Sequence, residues 1–541
     1  MQKTDALHTI EGKRGKPNKT PHGNGSVKNL HLGSVALKIP EILKEVLLLS
    51  ERPERATSAR VCRAWSSIAI DVLWHHLDSI FPLLELIAPL ERGSVKRLVF
   101  SDLVEPVDWE RFDSYERRVR SLAYNDTGDR LTRNGYTGII SKAIFSDVYI
   151  NNPESGPLLP NVSKVTWITG EVNTALLLLP FLSSSTLSLR IELEPKCPVK
   201  TINSLLNRLG GRVSGLLEFS FFVQNQVGEV DEGLAKCLGQ MESLQKVTLP
   251  ICFGAPRVVT ALTSLKELTT IRRHLNTPHG RDRVAPQLGT QWDTKLEAFK
   301  ALEVLDFQTT FSRAESALTC LTPLFLHTLE ITTVGTVSNQ KLLSLFSAVA
   351  ISCPGLQDFW LNLFSGSIYS TERFQFETFE PLFRCPLLRT LEIGHPRSIL
   401  LTEENVVAIG SAWPDLDILY FVDGGSLDKE QTPLSILKAF ALCLPGVENL
   451  GLTCRIDLEG LQMSAAPAAL DSLGILDLGL SAISQRDVIA VTTFLGFICP
   501  PGLEVQIGVT DWLTQADATF QENARHAERW GTVRDGVRTF H

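Results

Sequence analysis

The sequence predicts an α/β protein in which a short helical segment precedes a long array of strand–helix units. An apolar strand pattern, L-x-x-L-x-L or a close variant, recurs about a dozen times, and segments with helical spacing of apolar residues separate the copies. Proline-containing turns precede many of the copies, at intervals of about 27 to 32 residues in the second half of the chain. That period is typical of a solenoid.

The composition limits the function classes that the chain can serve. It has 541 residues and a formal net charge of −8, with 44% hydrophobic and 21% charged residues. This length exceeds what one compact core supports, so several domains or an extended array are expected. The negative charge argues against a general nucleic-acid binder, so no nucleic-acid partner is expected. No run of about 18 apolar residues is present, so no membrane span is expected.

The N-terminal residues and the cysteines point to an intracellular protein. Residues 1–33 are rich in Lys, Gly, Pro and Asn, so they are predicted to form a disordered basic arm and not a secretory signal. KRGK (Lys13–Lys16) is a candidate nuclear-import signal, and a solvated tail is the simpler interpretation. The ten cysteines form no C-x-x-C pair and no zinc-type spacing. We therefore expect reduced, mostly buried thiols, no metal or cofactor, and a cytoplasmic or nuclear location.

The strand pattern is clearest in the C-terminal half of the chain. Its copies there are LEVLDF (Leu302–Phe307), LQDFWL (Leu356–Leu361), LRTLEI (Leu388–Ile393), LDILYF (Leu416–Phe421), VENLGL (Val447–Leu452) and LGILDL (Leu473–Leu478). Less regular copies begin at Val95, Val119, Val162, Leu216, Leu244 and Leu265. One unit cannot bury its apolar strand edge and helix stripe alone, so stacked units would share one core and one long parallel sheet. A single copy would fit any doubly wound α/β domain, whereas repeated copies favour the array.

Helices are predicted between these strands. Thr402 is a candidate N-cap, with Glu403 and Glu404 in the first turn of the helix that follows it. Thr432 is also predicted to cap a helix, with Pro433 at its first position.

The remaining segments complete the domain organisation. Residues 81–94 are predicted to be a linker helix into repeats that span residues 95–510. A surface-loop insertion is predicted over about residues 272–297, because turn-forming residues surround Arg272, Arg273, Arg281 and Arg283 there. Residues 511–541 show helical spacing and mixed charge, and are predicted to be a C-terminal cap helix or tail, because an open sheet edge needs cover.

The array resembles irregular leucine-rich repeats of the ribonuclease-inhibitor or cysteine-containing type. The Asn or Cys that those repeats carry after the strand motif is mostly missing here. The resemblance implies a right-handed α/β solenoid with a parallel sheet on its concave face and helices outside.

The segment from Ile39 to Leu77 carries a second resemblance. A first helix is predicted from Pro40, a break over residues 50–54, a second helix to about residue 70 and a third from Asp71. Such short helices enclose little volume, so some of their large apolar groups must stay exposed or meet a partner. IPEIL (Ile39–Leu43), VCRAW (Val61–Trp65) and LWHHL (Leu73–Leu77) follow one another in this order. Together they resemble an F-box, with Ile39 in place of the usual Leu, so residues 34–80 are predicted to be a three-helix F-box.

In the F-box family this module binds the Skp-type adaptor of a cullin-RING ubiquitin ligase, and leucine-rich repeats behind it present the target. The resemblance therefore implies a substrate-recognition subunit of an SCF-type ligase, whose partners are a Skp-type adaptor and, through it, a cullin. The implied adaptor contacts are Ile39, Pro40, Ile42, Leu43, Val46, Leu47, Val61, Cys62, Trp65 and Trp74. Some of these residues would form a local core, and the sequence does not say which. Cys62 is predicted to be buried, because it lies in an apolar stripe.

Two other functions remain open. The chain could be an F-box and leucine-rich-repeat scaffold that acts outside a ubiquitin ligase. It could also be an enzyme of an unrecognised class, but no P-loop, dinucleotide-binding, zinc-protease or serine-hydrolase motif is present, so no enzyme is expected.

Strand alternation predicts where a protein target would bind. The residue between the last two apolar positions of each motif points to the concave face. In the C-terminal strands the charged and aromatic residues at this position are Asp306, Glu330, Trp360, Glu392, Tyr420 and Asp477. Aromatic anchors and an acidic surface suit a basic or mixed basic and apolar segment of a partner. A solvated face without a ligand is the alternative for any single residue, and the arginine-rich insertion is a rival site.

Overall fold

The computed structural model describes residues 36–93, 97–101, 108–127, 139–151, 156–170, 174–194, 197–223, 229–250, 255–273, 299–321, 323, 325–364, 372–395, 397–423, 431–462, 468–479, 481–507 and 518–540. The chain divides into two compact units, residues 1–76 and 77–541. The predicted N-terminal arm lies outside the described residues.

Three helices form the first unit. They are α1 (Pro40–Leu49), α2 (Arg52–Ser58) and α3 (Arg63–His75). The predicted break over residues 50–54 is present but shorter, because α1 ends at Leu49 and α2 begins at Arg52, with Pro53 in its first turn, where a missing N–H costs little. The predicted second helix is wrong, because Val61 and Cys62 interrupt it. Cys62 is fully extended (φ −160°, ψ 167°) as the N-cap of α3, and α3 then continues past Asp71 without a third start.

The core of this unit lies between α1 and α3. Leu43 and Leu47 of α1 pack with Ala69 and Val72 of α3. Arg55 of α2 closes the end of α1, because its Nε donates to the carbonyl of Leu47 at 2.8 Å and its Nη2 donates to that of Leu48 at 2.9 Å. Carbonyls at a helix C-terminus have no partner within the helix, so these bonds join α1 and α2.

Strands and helical segments alternate along the second unit. The strands are β1 (His76–Leu77), β2 (Leu90–Arg92), β3 (Arg97–Phe100), β4 (Ser121–Asn125), β5 (Ile139–Ile140), β6 (Lys164–Thr169), β7 (Ser188–Leu193), β8 (Glu218–Val223), β9 (Lys246–Leu249), β10 (Thr270–Arg273), β11 (Val304–Thr309), β12 (Thr328–Val334), β13 (Asp358–Phe364), β14 (Thr390–His395), β15 (Ile418–Asp423), β16 (Thr432–Pro433), β17 (Asn449–Leu452), β18 (Cys454–Arg455), β19 (Ile475–Asp477) and β20 (Glu504–Gln506).

The α-helices of this unit are α4 (Phe81–Ile87), α5 (Asp108–Glu116), α6 (Lys142–Asn151), α7 (Val199–Leu209), α8 (Asp231–Leu238), α9 (Pro256–Thr263), α10 (Phe311–Leu321), α11 (Asn339–Ser352), α12 (Glu403–Ala412), α13 (Leu437–Cys443), α14 (Val488–Ile498) and α15 (Ala518–Phe540). Four 3₁₀ segments take the place of α-helix in other connections: Ala175–Phe181, Phe376–Thr378, Glu380–Arg384 and Leu434–Ile436.

One long sheet contains most of the described strands of this unit, and β2, β3 and β5 and the pair β16 and β18 form two small separate sheets. The long sheet has fifteen strands in the order β1, β4, β6 to β15, β17, β19, β20. From β4 to β20 each strand pairs in parallel with the strand that follows it in this order. Parallel neighbours joined by helical crossovers, repeated along the chain, form an α/β solenoid, as the sequence predicts.

The register explains why the motif repeats. The second apolar position of each motif forms one buried row across the sheet, which includes Leu305, Leu329, Phe359, Leu391, Leu419, Leu450 and Leu476. A proline-containing turn with the same backbone hydrogen bond also precedes several of these strands. The N–H of Leu356 donates to the carbonyl of Cys353 at 3.2 Å, and Leu388 and Cys385 form the same bond at 3.3 Å.

Two predicted elements differ in the structure, and one strand was not predicted. The copy at Val95 gives β3, which pairs with β2 and β5 in a separate three-stranded sheet and not in the solenoid. The linker is helical only to Ile87, because Pro89 ends α4 and residues 90–92 turn back as β2. Strand β7 was not predicted, because Thr186 stands where the motif has Leu. Thr186 is fully buried, and its hydroxyl accepts from the N–H of Ser183 at 3.2 Å.

The two predicted helix caps have different outcomes. Thr402 caps α12, because its hydroxyl accepts from the N–H of Asn405 in a capping box. Thr432 is not a cap. Its buried hydroxyl donates to the carbonyl of Ile399 and accepts from the N–H of Leu401, both at 3.0 Å, so it ties β16 to the preceding repeat.

Helix α15 follows the last strand and packs against α14. Trp530 is its buried anchor, and its indole Nε1 donates to the carbonyl of Ser481 at 2.9 Å. No helix of the described ranges is both long enough and apolar enough to cross a membrane.

Candidate functional site

One side of helix α1 is apolar and exposed. Ile39, Ile42, Val46 and Leu49 recur at helical spacing, and each is at least 40% exposed. We call these four residues the α1 surface stripe. Leu43 and Leu47 lie beside the stripe on the same helix and are only 2% exposed. Helix α1 is therefore apolar on two adjoining faces, and the core of its own unit covers one of them.

The ten predicted adaptor contacts differ in exposure, and some belong to the core of the helical unit. Leu43 and Leu47 belong to the core, and Trp65 packs against it while partly buried. Trp74 is half-buried. The exposed members are Ile39, Pro40, Ile42, Val46, Val61 and Cys62. Whether they bind an adaptor stays a prediction, and the structure leaves six of the ten available for one.

The predicted burial of Cys62 is wrong. Cys62 is exposed, because it lies in the extended link between α2 and α3 and not on a helix face. Among the other described cysteines the expectation of free, mostly buried thiols is confirmed. Burial raises the pKa of the Cys353 and Cys499 thiols to about 12, so both are protonated at neutral pH.

The six predicted target residues lie in one row across the sheet. The register pairs Asp306 with Glu330 and then continues, one strand at a time, through Trp360, Glu392, Tyr420, Gly451 and Asp477. We call Asp306, Glu330, Trp360, Glu392, Tyr420 and Asp477 the acidic–aromatic row. Their neighbours along each strand are buried on the helix-covered side, so the row lies on the opposite face of the sheet.

Arg273 occupies one end of this row. Its Nη1 donates to Oε1 of Gln308 at 3.1 Å, its Nη2 lies 3.4 Å from Oε1 of Glu330, and its backbone N–H donates to Oδ2 of Asp306 at 3.0 Å. Nε of Arg273 lies 3.6 Å from Oδ1 of Asp306, which is too long for a hydrogen bond. Both side chains are more than nine-tenths buried. One guanidinium of this chain therefore serves two carboxylates of the row.

The sequence placed Arg273 in a surface loop, and this is wrong for Arg272 and Arg273, which belong to β10. The pairing of β10 with β11 covers only Thr270 and Ile271. Beyond Ile271 the strands separate, so the Arg273 side chain reaches the face that carries the row. Arg281, Arg283 and the rest of the predicted insertion lie outside the described residues.

The acidic–aromatic row has unusual protonation. Burial raises the pKa of Asp306 to about 7, Glu330 adds to the shift, and Arg273 opposes it. Burial also raises the pKa of Glu392, repulsion from Glu330 and Asp477 adds to this, and a hydrogen bond with the Trp360 side chain lowers it. Burial raises the pKa of Asp477 as well, against a hydrogen bond from the N–H of Gly479. The row thus holds carboxylates whose negative charge is only partly compensated within the chain.

Tyr420 forms an aromatic floor in the row. A side chain at Gly451 on the next strand would collide with the Tyr420 ring, so the ring lies across the bare backbone of Gly451. Burial raises the pKa of Tyr420 to about 12, and repulsion from Asp477, Glu392 and Glu504 adds to the shift. The phenol is therefore neutral and close to carboxylates on both sides.

Comparison with known proteins adds little to this geometry. No protein-family model and no curated protein sequence matches the chain. The chain is similar to the leucine-rich repeat-containing protein LegL7 from Legionella pneumophila, with 11% identity, a TM-score of 0.29 and coverage of 67% of this chain and 95% of that chain. It is also similar to a yeast complex of Rad7 and Elc1, with 11% identity, a TM-score of 0.29 and coverage of 91% of this chain and 96% of that chain. Both TM-scores are below 0.5, so these similarities do not establish the fold. The register of the strands does.

The second unit is an α/β solenoid whose strands carry a repeated leucine-containing motif. The motif positions stay in register along the strands of the long sheet from β11 to β20.

The corresponding positions in the preceding strands carry different side chains, which the sequence pattern did not reveal. From β6 to β10 the positions in register with one another are Thr166, Arg190, Ser220, Thr248 and Arg272. Arg190 pairs with Glu192 on its own strand. These residues lie between the last two apolar positions of the strand motif, where the C-terminal copies carry the acidic–aromatic row. The upstream copies are too irregular for that position to be recognised from the sequence. The row is basic and hydroxyl-bearing in one half, and acidic and aromatic in the other.

The described residues hold no group of three His, Cys, Asp or Glu side chains arranged for a metal ion. A described cleft of about 510 Å³ is lined by Gln357, Leu387, Arg389, Pro414, Asp415, Leu416, Asp417 and Gly446, and none of the row residues lines it. Arg389 and Asp417 form an ion pair there at 2.6 Å. What both surfaces offer is binding chemistry: an apolar stripe on the first unit and a charged row on the solenoid.

Proposed function

We propose that the chain is the substrate-recognition subunit of an SCF-type cullin-RING ubiquitin ligase. The helical unit binds a Skp-type adaptor through the α1 surface stripe, and the solenoid binds a protein target through the acidic–aromatic row. The observation that carries the proposal is the stripe itself, together with the F-box-like motifs in which it lies. Ile42 and Val46 are exposed in the same segment whose Leu43 and Leu47 form the core.

Energetics support a protein partner for the stripe. Burial of a large aliphatic side chain stabilises a complex by about 1.5 to 3 kcal/mol relative to full exposure. Four such side chains at helical spacing form the kind of anchor that a helix-binding groove uses. The nearby Val61 is 60% exposed and adds apolar area between α2 and α3.

Adaptor binding is tested with the full chain and a purified Skp-type adaptor. The double variant Ile42→Asp, Val46→Asp places two charges in the stripe and leaves the core unchanged. We expect it to lose adaptor binding in calorimetry. The matched control is Ile351→Asp, which charges a side chain of the solenoid that is 69% exposed, and it should bind like the wild type. Unchanged binding by a folded double variant would refute the proposal.

A second step separates a ligase subunit from a scaffold. The same F-box-like surface would serve a scaffold that binds the adaptor outside a ligase, so adaptor binding alone supports both functions. A ligase subunit forms a stable complex with adaptor, cullin and RING protein together, which size-exclusion chromatography would show. Adaptor binding that excludes the cullin would favour the scaffold.

A further inference from the structure

Two carboxylates of the row have no cation beside them among the residues that the structure describes. Arg273 serves Asp306 and Glu330 at one end. At the other end no Lys or Arg of the described ranges forms an ion pair with Glu392 or Asp477. Asp477 accepts a hydrogen bond from the N–H of Gly479 on its own turn, at 2.9 Å. The same face of the sheet therefore has a guanidinium beside its acids at β10 to β12. Among the described residues, Glu392 on β14 and Asp477 on β19 have no such partner.

The space between these two acids has an aromatic floor. Glu392 and Asp477 are three strands apart in the register, with Tyr420 and Gly451 between them. Neighbouring strands are about 4.8 Å apart, so the two positions are separated by roughly 14 Å. The Tyr420 ring lies over Gly451 and fills the floor of this gap. An aromatic face and flanking carboxylates attract cations by two independent electrostatic contributions.

This separation of the backbone positions suits an extended partner better than a single small ion. A calcium ion contacts its oxygen ligands at about 2.3 to 2.6 Å, so it cannot bridge carboxylates on strands so far apart. An extended peptide advances about 3.4 Å per residue, and side chains four residues apart point to the same side. Two basic side chains at positions i and i+4 would therefore be about 14 Å apart.

We infer that Glu392, Tyr420 and Asp477 bind an extended partner segment with two Lys or Arg residues four positions apart. One basic side chain lies at Glu392, the other lies at Asp477, and the residue midway between them packs on the Tyr420 ring. This inference rests on the proposed function only in the claim that the solenoid binds a protein target. It adds the charge, the spacing and the conformation of that target.

The direct test measures binding of synthetic peptides to the full chain by fluorescence anisotropy. One peptide carries Lys at i and i+4 in a Ser and Ala background, and a second peptide of equal composition carries the two Lys residues side by side. We expect the spaced peptide to bind about fivefold or more tightly than the clustered one, which corresponds to roughly 1 kcal/mol. Equal affinities, or no binding of the spaced peptide, would overturn the inference.

Variants of the chain locate the binding residues. Glu392→Gln and Asp477→Asn should each weaken binding of the spaced peptide about fivefold, because each removes one ion pair. Tyr420→Leu should weaken it as well, because it removes the aromatic face. The matched control is Glu218→Gln, which removes a carboxylate paired with Lys246 from the other half of the same face, and it should bind like the wild type. Equal losses in Glu218→Gln and Glu392→Gln would overturn the assignment.

Adaptor binding by the same variants distinguishes the two proposals. Glu392→Gln should bind the Skp-type adaptor normally, because it leaves the α1 surface stripe intact. If the wild-type chain does not bind the adaptor, the ligase proposal is refuted and the peptide result is unaffected. Loss of spacing preference with normal adaptor binding would refute only the inference about the target.

Discussion

The Tyr420 ring lies across the backbone of Gly451 on the neighbouring strand, at a distance that no side chain at position 451 would permit. In a parallel sheet the residues of one row have their side chains side by side, so a large residue usually meets another side chain. Here the register neighbour of Tyr420 on the next strand is Gly451, so the ring can lie on the backbone of that strand. The aromatic floor of the acidic–aromatic row therefore depends on two residues from adjacent strands.

The first prediction concerns this pair. Gly451→Ala should force the Tyr420 ring to move and should destabilise the solenoid by about 1 to 3 kcal/mol, as overpacking does. Chemical denaturation followed by tryptophan fluorescence measures the change. Gly355→Ala is the matched control, because a Cβ there meets no atom within 4 Å. Equal stability of the two variants would show that the ring adapts without strain.

A second prediction separates core from surface on helix α1. Leu43→Ala should destabilise the helical unit by about 2 to 5 kcal/mol, because it leaves a cavity against Ala69 and Val72. Ile42→Ala, one residue earlier, should change its stability by no more than about 0.5 kcal/mol. Hydrogen exchange of the α1 and α3 amides measures both changes. A similar loss of protection in the two variants would contradict the assignment of Ile42 to the surface.

The third prediction concerns pH and Asp306. Its folded-state pKa of about 7 exceeds the unfolded value of about 3.9, so the folded chain holds this proton more tightly. The resulting stability is complete below about pH 4 and is lost as the pH rises through about 7. Between pH 5 and pH 8 the urea midpoint of Asp306→Asn should therefore fall less than that of the wild type.

A half-exposed carboxylate, Glu218, provides the control for this pH effect. Glu218→Gln removes a half-exposed carboxylate paired with Lys246, and it should follow the wild-type pH profile. Equal pH dependence of Asp306→Asn and the wild type would contradict the prediction, because it would mean that Asp306 stays ionised beside Arg273 throughout this range.

A fourth prediction uses thiol reactivity. Cys62 is exposed, whereas burial raises the pKa of Cys353, Cys454 and Cys499 to about 12. Brief maleimide treatment of the native chain at neutral pH should therefore modify Cys62 and leave these three cysteines unmodified, as peptide mass spectrometry would show. Adaptor binding should slow the labelling of Cys62 if the proposed interface is correct. Labelling of Cys353 in the native chain at the rate of Cys62 would contradict the buried assignment.

The order of the sheet and the acidic–aromatic row could be predicted from sequence for one physical reason. In a strand the side chains alternate between two faces, so one position in a repeated motif always reaches the same face. When the repeats stack in parallel with equal registers, that position forms a row. Asp306, Glu330 and Glu392 therefore align as expected, and the irregular copy at Val95 fails because its strand joins another sheet.

Only the tertiary structure decided the features that depend on a neighbouring segment. Periodicity shows which residues of a helix are apolar, but coverage by α3 makes Leu43 part of the core and leaves Ile42 at the surface. Arg273 departs from its predicted loop because β10 continues to pair with β9 as far as Arg273. The sequence by itself determined which residues face together along a strand, since this follows from local backbone geometry. Packing between strands and helices determined which of those faces are filled.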